Sequence, residues 1–222
     1  MDAASLARRI EHAVLAPDAT EQDLAHHAEI ALRWGVRALV VKPSHVAAAA
    51  RLLAGSPVKL VAVVGFPHGA STSETKAYEA RQAVGRGAEE LDMVLNIGAL
   101  RQGDVAAVFY DIRSVVEAAE GRPIKVILET CYLDDRQKRS ACRIAARAGA
   151  AYVKTSTGFG TKGATVADVA LMRRTVGARA GVKAAGGIRS YQDALVLLQA
   201  GADLLGTSHT ETILTEALRE AA

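Results

Sequence analysis

Residues 151–187 read AYVKTSTGFGTKGATVADVALMRRTVGARAGVKAAGG. A short β-branched run, Ala151–Lys154, leads into a loop rich in Gly and Thr. Thr165 then stands as a helix N-cap before a stretch carrying apolar residues at helical spacing, and a second apolar run follows at Gly181–Ala184. Strand, helix and strand in that order make one βα unit. The same alternation extends in both directions. Apolar runs recur at Ile10–Val14, Val36–Val41, Val58–Val64, Glu90–Leu95, Pro123–Glu129 and Asp203–Gly206. Helical stretches lie between them, such as the face made by Leu24, Ala28, Ala31 and Leu32. Thr20-Glu21-Gln22-Asp23 reads as a capping box, and Ser190 as another N-cap.

Eight strand candidates, each followed by a helix, demand a parallel sheet, because every crossover helix returns the chain to the same end. The chain has 222 residues. A closed (β/α)8 barrel needs ~200–250, so the expectation is one TIM barrel spanning 1–222 as a single domain. The rival, an open doubly wound sheet binding a dinucleotide, carries a G-x-G-x-x-G turn after its first strand. That turn is missing here.

Composition narrows the function. Half the residues are hydrophobic, which suits a large core and excludes a disordered chain. The net charge of +3 is small and its basic residues are scattered, so neither nucleic acid nor an anionic membrane is expected as a partner. No apolar run approaches the ~20 residues that span a bilayer, and the start lacks a signal-peptide pattern. A cytoplasmic location is expected. The two cysteines, Cys131 and Cys142, have no further ligands at metal-binding spacing and read as structural thiols. No metal or other cofactor is expected.

In such barrels the chemistry sits where strands end. Asp92, Lys154 and Lys183 each lie near the outgoing end of an apolar strand, where an unpaired charge is costly and a buried amine tends to lose its proton. Lys154 and Lys183 stand one βα unit apart, on neighbouring strands. Two amines at one barrel mouth repel as cations, which lowers the pKa of at least one and makes an amine nucleophile near neutral pH. Asp92 can reach a lysine or a water and shuttle protons. An ion-paired network that merely plugs the barrel is the plainer reading, and a phosphate clamp is a third one for Lys183. Arg37, Lys59 and Lys125 fall in the incoming halves of strands and read as structural.

Gly186-Gly187 and Gly206-Thr207-Ser208 follow the seventh and eighth strands, where backbone N–H groups at a helix start hold phosphate in these barrels. Gly158-Phe159-Gly160 offers another loop of close approach. Among the histidines, His26 and His27 read as solvated helix surface and His45 as surface. His68 reads as a mouth residue, and Trp34 as core packing.

Several of these segments resemble the deoxyribose-phosphate aldolase family, and in the same order. They are Val63–Gly69, Glu90–Val94, Lys125–Thr130, Tyr152–Phe159 and Val182–Arg189, and the similarity runs from about Ile10 to Ser208. Lys-Thr-Ser-Thr-Gly at 154–158, with Lys-x-x-Gly-Gly from Lys183, is its most specific part. The resemblance implies a metal-free class I aldolase that reversibly cleaves 2-deoxy-D-ribose 5-phosphate to acetaldehyde and D-glyceraldehyde 3-phosphate. It implies Lys154 as the Schiff-base nucleophile, Lys183 as the residue that keeps Lys154 unprotonated and relays protons, and Asp92 as positioning Lys183 and a catalytic water. It further implies a supporting role for Glu11, phosphate binding by Gly158, Gly186, Gly187 and Ser208, and a homodimer. Three positions depart from the family pattern: Ala13 for a usual Thr, Lys42 in a usual Cys-Val-Asn-Pro run, and His209 for a second serine. They keep open an aldolase of the same architecture acting on another phosphosugar. A non-catalytic phosphate-ligand sensor is the alternative of a different class, against which stand Lys154, Lys183 and Asp92.

Overall fold

The computed structural model describes residues 1–220. The last two positions of the expected 1–222 domain lie outside the described residues. The eight strands are β1 (Ile10–Val14), β2 (Ala38–Val41), β3 (Lys59–Val64), β4 (Glu90–Val94), β5 (Ile124–Ile127), β6 (Tyr152–Lys154), β7 (Gly181–Ala185) and β8 (Leu204–Thr207). They pair in parallel in sequence order, and β1 closes on β8 with Glu11 opposite Gly206. All eight sequence-predicted runs are present, with ends displaced by at most two residues.

Among the described residues ten α-helices accompany the strands: α1 (Ala3–Ala7), α2 (Glu21–Trp34), α3 (Val46–Leu52), α4 (Ser73–Gly85), α5 (Ile97–Arg101), α6 (Val105–Ala118), α7 (Asp135–Ala148), α8 (Val166–Val176), α9 (Tyr191–Gln199) and α10 (Thr210–Glu220). Local chemistry sets their starts. The Thr20–Asp23 capping box forms as read, and Thr165 and Ser190 accept the backbone N–H of Asp168 and Asp193. Gly35 and Gly149 end α2 and α7 in the left-handed conformation.

Strand alternation divides the core in two. Outward-facing residues pack against the helices in one large cluster that includes Leu39, Leu60, Leu91, Val126, Val153 and Val182. Inside the barrel a small apolar cluster occupies only the side made by β2 and β3, with Ala38, Val40, Val61 and Val63. The facing side carries Glu90, Asp92, Lys125, Lys154 and Lys183, all buried. The barrel interior is therefore apolar on one side and charged on the other, and of the charged side chains Lys154 and Lys183 reach the mouth. His45, read as surface, is instead buried in the short 3-10 turn Pro43–His45.

Candidate active site

The strand register brings the charged side chains together. Asp92 sits opposite Lys125, and Lys154 opposite Lys183, in adjacent pairs of strands. Asp92 is the hub. Its Oδ2 accepts from Lys154 Nζ at 2.8 Å and from Lys183 Nζ at 2.6 Å, while Oδ1 accepts from Lys125 Nζ at 3.1 Å. Lys183 also donates to Glu11, which Arg37 holds from below. Lys125 meets Glu90 at 2.7 Å, and Arg37 pairs with the same carboxylate at 2.6 Å. Sequence reasoning placed Lys125 and Arg37 outside this chemistry. Lys125 is in fact fully buried and bonded to the hub, because β5 is so short that its incoming half already faces the site.

Charge counting identifies the odd member. Three buried carboxylates, Glu11, Glu90 and Asp92, face four cationic side chains within the barrel, Arg37, Lys125, Lys154 and Lys183, while Lys59 reaches Glu90 at 3.2 Å from an exposed position in solvent. One proton too many is present when every amine is charged. Burial pushes the Lys154 amine down to about 8. Asp92 pulls it back up, and the Lys183 cation pushes it further down. Repulsion between the two lysines, which the sequence argument put first, is thus second to desolvation among the lowering effects. The surrounding cations hold Asp92 well below the usual carboxylate range, with Lys125 the strongest of them, against the opposing effect of its burial. The same three carboxylates raise Lys125 despite its burial. With Lys154 neutral, and the solvent-exposed Lys59 set aside, the cluster inside the barrel balances at three against three.

Above this network opens a cavity of about 590 Å³. Lys154 and Lys183 form its floor, and Gly158, Gly186, Gly187 and Ser208 line its wall, so every phosphate candidate faces the same space as the two amines. Gly158, Gly186 and Gly187 have φ of +91°, +88° and +79°, a backbone region that side chains with a Cβ rarely adopt. Glycine at 163 answers a different need: a Cβ there would stand 2.1 Å from the Gly186 carbonyl oxygen. Asp92 and Glu11 lie beneath the floor and act on the cavity through the lysines.

Three features escaped the sequence. His27, read as solvated, is half-buried, lines the cavity and bonds to His12. Lys42, read as an extra cation near the mouth, donates to the carbonyls of Ala16, Pro17 and Ala19 at 2.9, 3.2 and 3.0 Å. It therefore fastens the β1–α2 loop that forms one cavity wall. Glu129 is buried in the left-handed conformation, φ +53° and ψ +64°, and accepts the hydroxyl and the amide of Thr157. That anchor fixes the loop carrying Gly158 and Phe159. Lys42 had a mark in the sequence, as a departure from a familiar run, and Glu129 fell at a strand end inside a segment of the family resemblance, whereas nothing marked His27. Among the described residues no group of three or more His, Cys, Asp or Glu is arranged to hold a metal ion.

Comparison with known proteins gives one consistent picture. The sequence profile described as DeoC/LacD family aldolase matches residues 6–214. Deoxyribose-phosphate aldolase of Streptococcus sanguinis is 51% identical over 203 residues, covering 91% of this chain and 92% of that protein. The Geobacillus protein of the same name is 49% identical over 211 residues, 95% of each chain. Among solved structures, the tetrameric deoxyribose phosphate aldolase from Aeropyrum pernix superposes with a TM-score of 0.91 at 36% identity. It covers 99% of this chain and 93% of its own.

Proposed function

The chain belongs to the DeoC/LacD family of aldolases, and from that premise we propose that it works as a deoxyribose-phosphate aldolase with Lys154 as its nucleophile. It is an enzyme of the class I aldolase type, a carbon–carbon lyase acting on small phosphosugars. The observation that carries the assignment of Lys154 is its position as the surplus amine of a buried cluster, at the floor of the cavity, with its pKa drawn down to about 8.

The neutral Nζ adds to the C1 aldehyde of 2-deoxy-D-ribose 5-phosphate. The carbinolamine loses water to give an iminium ion, which acts as an electron sink. Loss of the C3 hydroxyl proton then breaks the C2–C3 bond and releases D-glyceraldehyde 3-phosphate, and the bonding pair remains as an enamine on Lys154. Protonation of the enamine at C2 and addition of water release acetaldehyde and restore the amine. Lys183, clasped between Glu11 and Asp92, has its amine bonded to the same Asp92 oxygen as Lys154, which suits a proton relay between carbinolamine and floor. Glu11 supports by holding Lys183. Backbone N–H groups at Gly158, Gly186 and Gly187, with the Ser208 hydroxyl, suit the phosphate. A homodimer, a cytoplasmic location and a single domain over 1–222 complete the proposal.

The test is glyceraldehyde 3-phosphate release from deoxyribose 5-phosphate without added metal. Wild type should turn over, and Lys154→Ala should lose at least about a thousandfold in kcat. Turnover of another phosphosugar in preference would instead favour the altered-specificity reading built on Ala13 and His209. Equal turnover by Lys154→Ala would remove the nucleophile from this account.

A further inference from the structure

His12 follows Glu11 in β1, so its ring turns outward, away from the barrel axis, toward α2 and α10. It is 1% exposed. Its Nδ1 lies 2.8 Å from Thr210 Oγ1, and its Nε2 lies 2.7 Å from His27 Nδ1. Hydrogen-bond bookkeeping fixes the direction of this chain. Thr210 is fully buried, and its hydroxyl has His12 as its one side-chain partner among the described residues. If that oxygen only accepted, its own proton would be left unpaired away from water, which is costly. The hydroxyl therefore donates to His12 Nδ1. His12, neutral because burial drives its pKa down to about 3, then carries its proton on Nε2 and donates to His27 Nδ1. His27 must in turn carry its proton on Nε2. That nitrogen has no protein partner among the described residues, and the ring lines the cavity beside Ser208 and His209.

The same chain keeps His27 uncharged. A proton on its Nδ1 would face the His12 Nε2–H, and relieving that clash by moving the His12 proton would strand the Thr210 hydroxyl. Burial and the neighbouring His26 also lower the His27 pKa, against the opposing pull of Asp23 and Glu211.

We propose that Thr210, His12 and His27 form a relay that presents the Nε2–H of a neutral His27 as a fixed donor to a phosphate oxygen of the bound sugar. His27 is then a binding residue, and His12 and Thr210 are positioning residues. The inference rests on the reading of the cavity as a phosphosugar site. It adds a donor from α2 to the phosphate donors proposed on the loops after β6, β7 and β8, and it makes the buried Thr210–His12 pair a determinant of substrate preference.

Two measurements test it. Long-range 15N–1H spectra of histidine-labelled protein at neutral pH should show both His12 and His27 as Nε2–H tautomers. A His27 imidazolium or Nδ1–H tautomer overturns the relay. Kinetics with 2-deoxyribose 5-phosphate and with 2-deoxyribose supply the second readout. His27→Leu should raise KM for the phosphorylated sugar roughly tenfold, the worth of one hydrogen bond to a charged group, and should move kcat far less. The preference for the phosphorylated sugar should fall by the same factor. His27→Gln, which keeps an N–H donor, should recover part of it, and Thr210→Val should lower the preference without touching the cavity. His26→Leu, on the neighbouring exposed face, should behave as wild type. A wild-type preference ratio in His27→Leu overturns the proposal. Absence of deoxyribose 5-phosphate cleavage by wild type would instead strike the parent reading, and the tautomer assignment would still be decided by the spectra.

Discussion

Lys154 is charged at a cost and neutral to advantage, and both halves of that statement are measurable. Its amine titrates near 8 in the folded chain, against 10.5 for an ordinary lysine. With the free amine of Lys154 as the proposed nucleophile, kcat/KM should climb as pH rises toward about 8 and level off above it. A profile still rising steeply at pH 10 would contradict the shift. The same displacement has a stability sign. Between about 8 and 10.5 the unfolded chain binds more protons than the folded one, so stability rises with pH across that window. Below it, the protonated amine is a buried surplus charge. Lys154→Met removes the surplus and leaves Arg37, Lys125 and Lys183 inside the barrel against three carboxylates, with Lys59 still at its solvent-exposed place beside Glu90. We expect an inactive enzyme more stable than wild type by about 1–3 kcal/mol in urea titration at pH 7. At this scale the sequence was most legible: Asp92, Lys154 and Lys183 announce themselves as charges in apolar strands. Lys125 did not, because its place in the strand suggested the far end of the barrel. His27 did not either, because its partner His12 stands 15 positions before it and Thr210, His12's own partner, 183 after it, a closure that only the barrel provides.

Among the elements, the loop after β6 owes its shape to a residue just past the end of the neighbouring strand β5. Glu129 stands where a bulky residue rarely does, in the left-handed region, and its carboxylate meets the amide and hydroxyl of Thr157. Strain and anchor can be separated by substitution. Glu129→Ala loses the anchor and keeps the strain, whereas Glu129→Gly loses both. The glycine variant should therefore be the more stable of the two by roughly 1 kcal/mol in chemical denaturation, although glycine is ordinarily the worse residue. Both should raise KM, because Gly158 and Phe159 would no longer be held. An alanine variant as stable as the glycine one would show that the backbone is unstrained. Element existence was readable from period and caps, and the Thr20, Thr165 and Ser190 caps fell where the side chains said. The left-handed turn at Glu129 was not readable, since neither Gly nor Asn marks it. Helix α1 was also missed: five residues are too few to show a period.

For the molecule as a whole, the salt-filled half of the barrel sets the response to acid. The Arg37 hydrogen bond and the Lys125 charge hold the Glu90 carboxyl down at about 2 against its burial, and Asp92 also lies well below the usual range. Carboxyls depressed on folding stabilise above their unfolded pKa and lose that contribution as pH falls toward the folded value. Stability should thus decline from about pH 6.5, where buried His12, held neutral down to about 3, begins to cost, and more steeply below about 5 as the carboxyls protonate, falling by at least about 3 kcal/mol on the way to pH 2, read as urea midpoints at successive pH values. A midpoint unchanged at pH 3 would contradict the charge network. The barrel itself was legible because alternation of strand and helix leaves so few topologies. The uneven filling of its interior was not, because which strand faces which is decided only on closure. The claim at the centre of this account is that one buried amine, and no other, is free to attack an aldehyde. The most direct measurement is incubation with acetaldehyde, reduction with borohydride and mapping of the modified peptide. A single ethyl group on Lys154, absent from Lys154→Ala, is the predicted result. An adduct on Lys183, or ethyl groups scattered over exposed lysines with Lys154 untouched, would contradict it.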